Sequence, residues 1–175
     1  MRQKWLEATV RGELTRLLGE QGIRLPVLLA FQPTKQGRVD DGIYFFSINR
    51  GKRGWQHRKY LQTGVGLCAR ETQINESQYQ FQAFVRDDLN DPDQLLASDV
   101  LAVVRGVLQS MSFTATMARA GIGVQRPADI VTPSFVNDRD DFEFNPNFTI
   151  IFTHLRSITQ ATKHFDTVVA DVHRN

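Results

Sequence analysis

Two acidic clusters are the residues whose types and spacing come closest to a metal site. The first comprises Asp87, Asp88, Asp91 and Asp93, and the second comprises Asp138, Asp140, Asp141 and Glu143. Hard divalent cations prefer several carboxylate oxygens close together, but neither cluster has the spacing of an EF-hand loop. We expect Asp91 to cap a helix and Asp93 to favour its dipole. For the second cluster we predict ion pairs or hydrogen bonds, within or between subunits, and a small metal-dependent enzyme is the alternative.

Other catalytic arrangements are not indicated. The histidines at 57, 154, 164 and 173 are scattered, and no pair has the i, i+4 spacing with a glutamate that a metalloprotease requires. The one cysteine, Cys68, lies on a predicted strand, and we expect it to be a small buried apolar residue rather than a reactive thiolate. No nucleophile elbow or glycine fingerprint occurs. We therefore predict no cofactor, no metal and no enzymatic activity.

A concentrated basic cluster is the remaining candidate site. It contains Arg50, Lys52, Arg53, Arg58 and Lys59, with glycines at positions 51 and 54. Glycines, cations and the neighbouring Trp55 could contact phosphates, since backbone contacts need charge rather than a sequence code. An exposed turn favours the same residue types. We predict a hairpin tip at 50–54, either simply solvated or facing an acidic partner, and a nucleic-acid-binding module is a further alternative.

Composition limits these choices. The chain has 175 residues, with 21 Lys and Arg against 19 Asp and Glu, giving a net charge of +2. This near balance argues against a nucleic-acid binder driven by bulk charge. The length suits one domain, and a single cysteine excludes an internal disulfide and favours a reducing compartment. Because Glu7 interrupts any signal-peptide core and the apolar runs are short, we expect a soluble, unexported protein without a membrane span.

The elements that must position these residues begin with a helix. Apolar residues at helical spacing predict a helix over residues 2–21, and Gly22 stands where a left-handed C-cap would end it. A buried strand is predicted at 27–31, between two prolines. Further strands are predicted at 42–49, 55–61, 67–74 and 79–86, with a turn at 75–77 between the last two. The final strand alternates apolar with glutamine residues, which indicates a half-buried antiparallel strand.

A second, long helix is predicted after Asp91. Asp91 is the expected N-cap with Pro92 at the first helical position, and the core stripe runs from Leu95 and Leu96 to Met111. A short helix at 113–120, a strand at 122–125, a polar loop at 137–141 and a strand at 148–154 follow. This order predicts an α+β fold, an antiparallel or mixed sheet with the N-terminal helix and the long central helix packed on one face.

The domain is expected to span residues 1–155, with a C-terminal extension at 156–175. The apolar residues of the extension are few and are separated by polar ones, so it can bury only a modest face by itself. Its β propensity suits addition to an exposed sheet edge of a neighbouring subunit. The expected contacts within it are Phe165, Val168 and Val169.

Three short runs carry a resemblance to a known family: GIGVQRPADI at 121–130, FVNDRDDFE at 135–143 and PNF at 146–148. Together they resemble the signature segment of bacteriophage neck or tail terminator proteins. The order of elements in the rest of the chain is similar to that family as well. The resemblance implies a ring, typically of six copies, that caps the tail tube or completes the neck and presents the surface on which the DNA-filled head docks.

The resemblance also implies partners and contact residues. Phe135 and Phe142 are expected to anchor the signature loop in the core, while its polar residues hold its shape or meet the next subunit. The expected partners are copies of the chain, tail tube or sheath proteins and a head-tail connector or adaptor, with genomic DNA passing through the lumen without sequence-specific binding. The basic residues at 50–59 would then face either this DNA channel or an acidic partner surface. The expected location is the virion, and the host cytoplasm during assembly. The polar residues predicted at the interface are Arg126, Asn137, Asp138, Arg139, Asp140, Asp141 and Glu143.

Overall fold

The structure, a computed structural model, describes residues 3–29, 41–63, 66–86, 90–91, 93–136 and 142–161. It has three helices: α1 (Gln3–Glu20), α2 (Ala97–Gln109) and α3 (Met111–Arg119). Its strands are β1 (Val27–Leu29), β2 (Gly42–Thr63), β3 (Gly66–Phe84), β4 (Ile122–Val124), β5 (Ser134–Val136), β6 (Phe142–Phe144) and β7 (Asn147–Ala161).

The strands form a mixed five-stranded sheet in the order β1-β2-β3-β7-β4. β1 pairs with β2 in parallel, and the other neighbours in this sheet pair antiparallel. β5 and β6 form a separate two-stranded antiparallel sheet. The α+β class with a mixed sheet is therefore confirmed.

α1 follows its predicted pattern. Its buried residues recur every three or four positions, so that one side of the helix faces the core, and Gly22 adopts a φ of 80° just after the helix, as a left-handed C-cap requires. The buried residues of α1 are Leu6, Val10, Leu14, Leu17 and Leu18.

The second helix starts later than predicted. α2 begins at Ala97. The Asp99 carboxylate caps its N-terminus by accepting a hydrogen bond from the Leu96 backbone N–H at 3.1 Å. Asp91 instead accepts from the N–H of Asp93 in a local turn, so its prediction as the N-cap was wrong. Leu95 and Leu96 therefore precede the helix and are about half exposed.

The helix also ends earlier than predicted. Ser110 has an extended backbone and caps the next helix, because its Oγ accepts from the Phe113 N–H at 3.2 Å. Met111, predicted in the core stripe, is the first residue of α3 and is 86% exposed. Among the described residues no single helix is long and apolar enough to cross a membrane, although α2 and α3 together meet the length and composition with a 53° bend between them.

The core lies between the helices and one face of the sheet. Phe45, Phe81 and Phe148 stack across β2, β3 and β7 with ring centroids 5.2 and 5.3 Å apart. Because side chains alternate along a strand, the residues two positions before and after each phenylalanine lie on the same face of the sheet. The buried side chains of all three helices join this face in one cluster. This aromatic row anchors the middle strands, which continue far beyond it.

Candidate partner interface

The three central strands extend past the core as a three-stranded projection. We call it the β-arm, defined as residues 48–63 of β2, 66–76 of β3 and 155–161 of β7. All three strands are continuous through it, with β3 paired to β2 on one side and β7 on the other. At about 3.3 Å per residue, the eleven residues of β3 in the arm span roughly 36 Å. The predicted basic cluster therefore lies on an extended sheet.

The predicted hairpin tip at 50–54 and the predicted turn at 75–77 were both wrong. The two segments pair directly with each other: Gly51 lies opposite Glu76 and Lys52 opposite Asn75. Glycine, asparagine and serine are typical of turns, and neither segment alternates apolar with polar residues. Ladder hydrogen bonds to the adjacent strand hold these residues extended despite their weak strand propensity.

An irregularity interrupts the pairing between Arg53 and His57. Gly54 adopts a φ of 67° within it, a backbone conformation that favours glycine. The Gln73 side chain closes the irregularity, because its Nε2 donates to the carbonyls of Arg53 and Gly54 at 2.8 and 3.1 Å. Trp55 is consequently displayed on the surface with 99% of its area exposed.

The basic residues divide between the two faces of the β-arm. Tyr79 of β3 is buried in the core, so alternate positions at 77, 75, 73 and 71 share its face. Their β2 partners include Arg50, Lys52 and Arg58, which therefore lie on the helix side. Arg53 and Lys59 pair with even-numbered residues of β3 and lie on the opposite face. The five predicted cations thus form two separate charged surfaces.

Charge is concentrated in this part of the chain. The β-arm carries seven Arg and Lys residues and two glutamates, whereas the whole chain has 21 Arg and Lys residues and 19 Asp and Glu residues. The rest of the chain therefore carries more acidic than basic residues. Sequence reasoning missed Arg70 and Arg156, which are distant from the cluster along the chain but come beside it through strand pairing. Only the pairing register of the three strands could have identified them, and that register cannot be derived from the local sequence.

The two glutamates of the β-arm pair locally. Glu71 accepts from Arg58 Nε at 2.8 Å and also from Gln56. Glu76 lies 3.7 Å from Arg53 Nη1 and accepts from Gln125 Nε2 at 3.0 Å. These contacts fix some side chains but leave the basic excess in place.

Apolar side chains are also exposed on the β-arm, which is unusual for a projection without a core of its own. These residues are distributed over all three strands. They are Ile48, Trp55, Tyr60, Ile74, Leu155 and Ile158.

Both outer edges of the β-arm are open within the described chain. β1 pairs with β2 only at Ile43, Tyr44 and Phe45, and β4 pairs with β7 only between Phe152 and His154. Beyond these positions the described residues supply no further strand to either edge. Unpaired edges template the addition of another strand.

A tyrosine and a histidine mark the root of the β-arm. The Tyr79 hydroxyl donates to Glu7 Oε1 at 3.1 Å, which ties the sheet to α1. Burial, together with the Glu7 charge, raises the pKa of Tyr79 well above its usual value. Burial also lowers the pKa of His154 in β7, with a smaller contribution from the positive charge of Arg50.

The residues predicted from the signature segment are only partly described. Arg126 lies exposed in the loop after β4, and no ion pair among the described residues includes it. Glu143 belongs to β6, where its backbone pairs with Phe135 of β5. The predicted interface residues at 137–141, namely Asn137, Asp138, Arg139, Asp140 and Asp141, lie outside the described residues.

The C-terminal extension overlaps the sheet. β7 runs to Ala161, so residues 156–161 pair with Cys68 to Gln73 of the same chain. The predicted boundary at residue 155 therefore falls inside a strand. Phe165, Val168 and Val169 lie outside the described residues.

The remaining candidate chemistry is limited. Within the described ranges, no group of three or more His, Cys, Asp or Glu residues is arranged to hold a metal ion. Cys68 is half-buried on the β-arm rather than fully buried as expected, because its strand is not covered there by the helices. Asp87 and Asp88 of the first acidic cluster lie outside the described residues.

Comparison with known proteins supplies the family. A family model described as E217 gateway protein gp29 matches residues 5–164, a range that includes the core, the β-arm and the signature segment. No curated protein matches the chain. The match covers most of the 175 residues. The chain therefore belongs to the E217 gateway protein gp29 family, the structural gateway proteins of the bacteriophage head-tail junction.

Proposed function

We propose that this protein is a ring-forming subunit of the phage neck, with six copies preferred, that caps the tail tube and joins the tail to the head connector. The observation that carries the proposal is the β-arm, a three-stranded sheet on a protein of a head-tail family. Its outer edges pair with no further strand of the described chain, and it exposes apolar residues. Such an arm gains little stability by itself and suits burial between subunits.

The two open edges support a repeated contact between copies. The β2 edge of one copy and the β7 edge of the next are different surfaces, so their pairing is heterologous and generates a ring when the rotation closes. Backbone hydrogen bonds supply affinity in such strand addition, and side chains set the register.

The signature segment contributes a second contact in this proposal. Arg126 is exposed beside the β7 edge, where the following loop is attached through the Ala128 N–H to the Thr149 carbonyl at 2.8 Å. The acidic residues at 138–143 and the chain after Ala161 are proposed to reach the neighbouring subunit. Arg126→Ala and deletion of residues 162–175, which spares β7, are each expected to reduce assembly without unfolding the subunit. A truncated chain that unfolds as a monomer would place the segment in the subunit's own core.

A second candidate role is a DNA-facing surface on the β-arm. Lys59 lies directly opposite Arg70 on the face away from the helices. Like charges in such a cross-strand pair are destabilising unless an anion lies over them. Phosphates passing through a lumen supply such an anion without sequence recognition. Lys59→Glu is expected to lower both the affinity for duplex DNA and the slope of its salt dependence, while a flat salt dependence in the unmodified protein would exclude this role.

Location and copy number in assembled particles test the main proposal. Reconstituted necks, imaged by electron microscopy, are expected to contain a closed ring of this chain between the tail tube and the head connector. A single copy per particle would contradict it.

Charge reversal tests the role of the β-arm in joining. We expect Lys52→Glu with Arg53→Glu to reduce head-to-tail joining while circular dichroism stays native, since exposed residues contribute little to stability. Arg11→Glu, on the exposed side of α1, is the matched control and is expected to join normally. Unchanged joining by the double variant would make the basic cluster a merely solvated surface.

A further inference from the structure

A cavity of about 490 Å³ lies at the root of the β-arm, between the first turns of α1 and the helix-side face of the sheet. It borders the core at Leu6 and Tyr79. Gln3 and Leu6 line it from α1, and the three arm strands line it from the other side. The volume falls within the range of ligand pockets, which is roughly 300–1,000 Å³.

Positive charge converges on this cavity. Arg50, Lys52 and Arg156 all line it, and the strand register places them on the same face of the sheet. No ion pair among the described residues includes any of the three, whereas Arg53 and Arg58 of the same arm each have a glutamate partner. α1 begins at this cavity without an acidic residue in its first turn, so its amino-terminal dipole adds positive potential.

Glu7 lies near the cavity and Glu76 lines it, but both carboxylates have other partners. Glu7 accepts from the Tyr79 hydroxyl and from Gln3 Nε2. Glu76 accepts from Gln125 and lies beside Arg53. Neither carboxylate is paired with the three cavity cations.

A histidine atom at the cavity lacks a partner. The Nδ1 atom of His154 is buried, and no described residue forms a hydrogen bond with it. His154 itself lines the cavity, so the charge of an anion bound there would act on its ring.

The cavity selects its anion by shape. Duplex DNA displays its phosphates on a convex rod, which cannot enter a recess between a helix and a sheet. A carboxylate on a flexible side chain can enter, and arginine binds it through two parallel N–H donors.

We propose that this cavity is a carboxylate-binding site that receives clustered Asp or Glu side chains of an adjoining neck protein. Arg50 and Arg156 supply the guanidinium donors, and Lys52 supplies a further positive charge. The identity of the partner as a neck component rests on the proposed function, whereas the affinity for carboxylates does not.

Binding of a hexaglutamate peptide to the purified full chain at low salt tests the site. We expect saturable binding, a rise in the pKa of His154 measured by NMR, with the His154→Gln spectrum assigning its signal, and competition by inorganic phosphate. Lys52→Glu with Arg156→Glu is expected to weaken binding by more than about tenfold, since charge-assisted hydrogen bonds contribute more than 1.4 kcal/mol together.

The matched control is Lys59→Glu with Arg70→Glu, which makes the same charge change on the opposite face of the arm. It is expected to keep hexaglutamate affinity within about twofold, because those residues do not line the cavity. Equal losses in the two double variants would show nonspecific charge attraction and overturn the site, as would binding of phosphate without hexaglutamate. If the cavity variant fails to fold, the milder Lys52→Gln with Arg156→Gln replaces it.

The outcome is separable from the proposed function. A ring in the neck together with no hexaglutamate binding would reject the site and leave the neck assignment intact. Hexaglutamate binding by a protein absent from the neck would support the site and reject the neck assignment.

Discussion

The body of the protein and the β-arm are built from the same three strands, but their side chains meet different surroundings. In the body, Phe45, Phe81 and Phe148 form a fully buried row across β2, β3 and β7. In the arm, the corresponding row on the same face is Tyr60, Ala69 and Gln160. The small Ala69 is buried between its neighbours, but Tyr60 is 58% exposed, because no helix of the described chain covers that part of the sheet.

The difference separates backbone pairing from side-chain burial. Both rows have complete strand pairing, yet a net backbone hydrogen bond contributes only about 1 kcal/mol, and burial of apolar surface is the larger stabilising contribution. We therefore infer that the body holds most of the subunit's stability, and that the arm's exposed apolar and basic surface is kept for partners.

The largest expected effect is in the body. Phe81→Ala removes the centre of the aromatic row and leaves a cavity, and we expect it to lower the free energy of unfolding by about 3–5 kcal/mol. Tyr60→Ala, at the corresponding row in the arm, is expected to cost less than about 1 kcal/mol. Urea denaturation of the two variants measures both values. Equal losses would show that the arm is part of the same cooperative core.

The contrast also explains which parts of the structure could be predicted from the sequence. The buried residues of α1 recur every three or four positions, and in the strand at 79–86 buried residues alternate with half-buried ones, so their periodicity identified both elements. Residues 50–54 are all exposed and residues 75–77 are all polar, so neither stretch has an apolar periodicity. Their extended conformation depends on pairing between residues more than twenty positions apart, which local propensity does not contain.

The candidate site could be predicted in part for the same reason. The basic cluster at 50–59 was visible because its members are neighbours in sequence. The cavity was not, because Arg50, His154 and Arg156 meet only through β3, which lies between their strands. The start of α2 was predicted too far toward the N-terminus for a different reason. Asp91 and Asp99 both precede apolar residues, and only the structure shows that Asp99 makes the capping contact.

The boundary between the two regions should show an alkaline sensitivity. Burial and the Glu7 charge raise the pKa of Tyr79, so the folded state favours the protonated phenol. Its contribution is fully present below the unfolded pKa of about 10 and is lost as the pH rises above it. We expect Tyr79→Phe to cost about 1 kcal/mol at pH 7 through the lost hydrogen bond, and to flatten the decline in stability above pH 10.

The matched control for Tyr79 is Tyr60→Phe in the exposed arm, measured by urea denaturation at several pH values. It is expected to leave the alkaline decline as in the unmodified protein. A decline that is unchanged in Tyr79→Phe would show that another group causes it.

A smaller effect is expected where α1 meets α3. Glu13 accepts from Arg16 and from the Thr116 hydroxyl at 3.0 Å. The hydrogen bond from Arg16 lowers the pKa of Glu13 below its usual 4.5, with Thr116 adding to the effect. The stabilisation is therefore present above pH 4.5 and is lost as the pH falls through the lowered folded-state value. We expect Glu13→Gln to cost up to about 1 kcal/mol at pH 7 and progressively less at acidic pH. Thermal unfolding from pH 7 to pH 3 measures this, and a pH-independent difference would contradict it.

The smallest expected effect on stability is at Glu71, in the arm. Its carboxylate contacts Arg58 and Gln56, but the Arg58 side chain is 59% exposed, so solvent and salt screen the pair. We expect Glu71→Gln to change the free energy of unfolding by less than about 0.5 kcal/mol and to have no measurable effect at 1 M salt. Because the pair joins β2 to β3 next to the irregularity at Gly54, amide hydrogen exchange at 56–59 should still become faster. A loss comparable with that of Phe81→Ala would mean that side-chain contacts, rather than partner contacts, hold the arm in place, and the contrast between the two regions would fail.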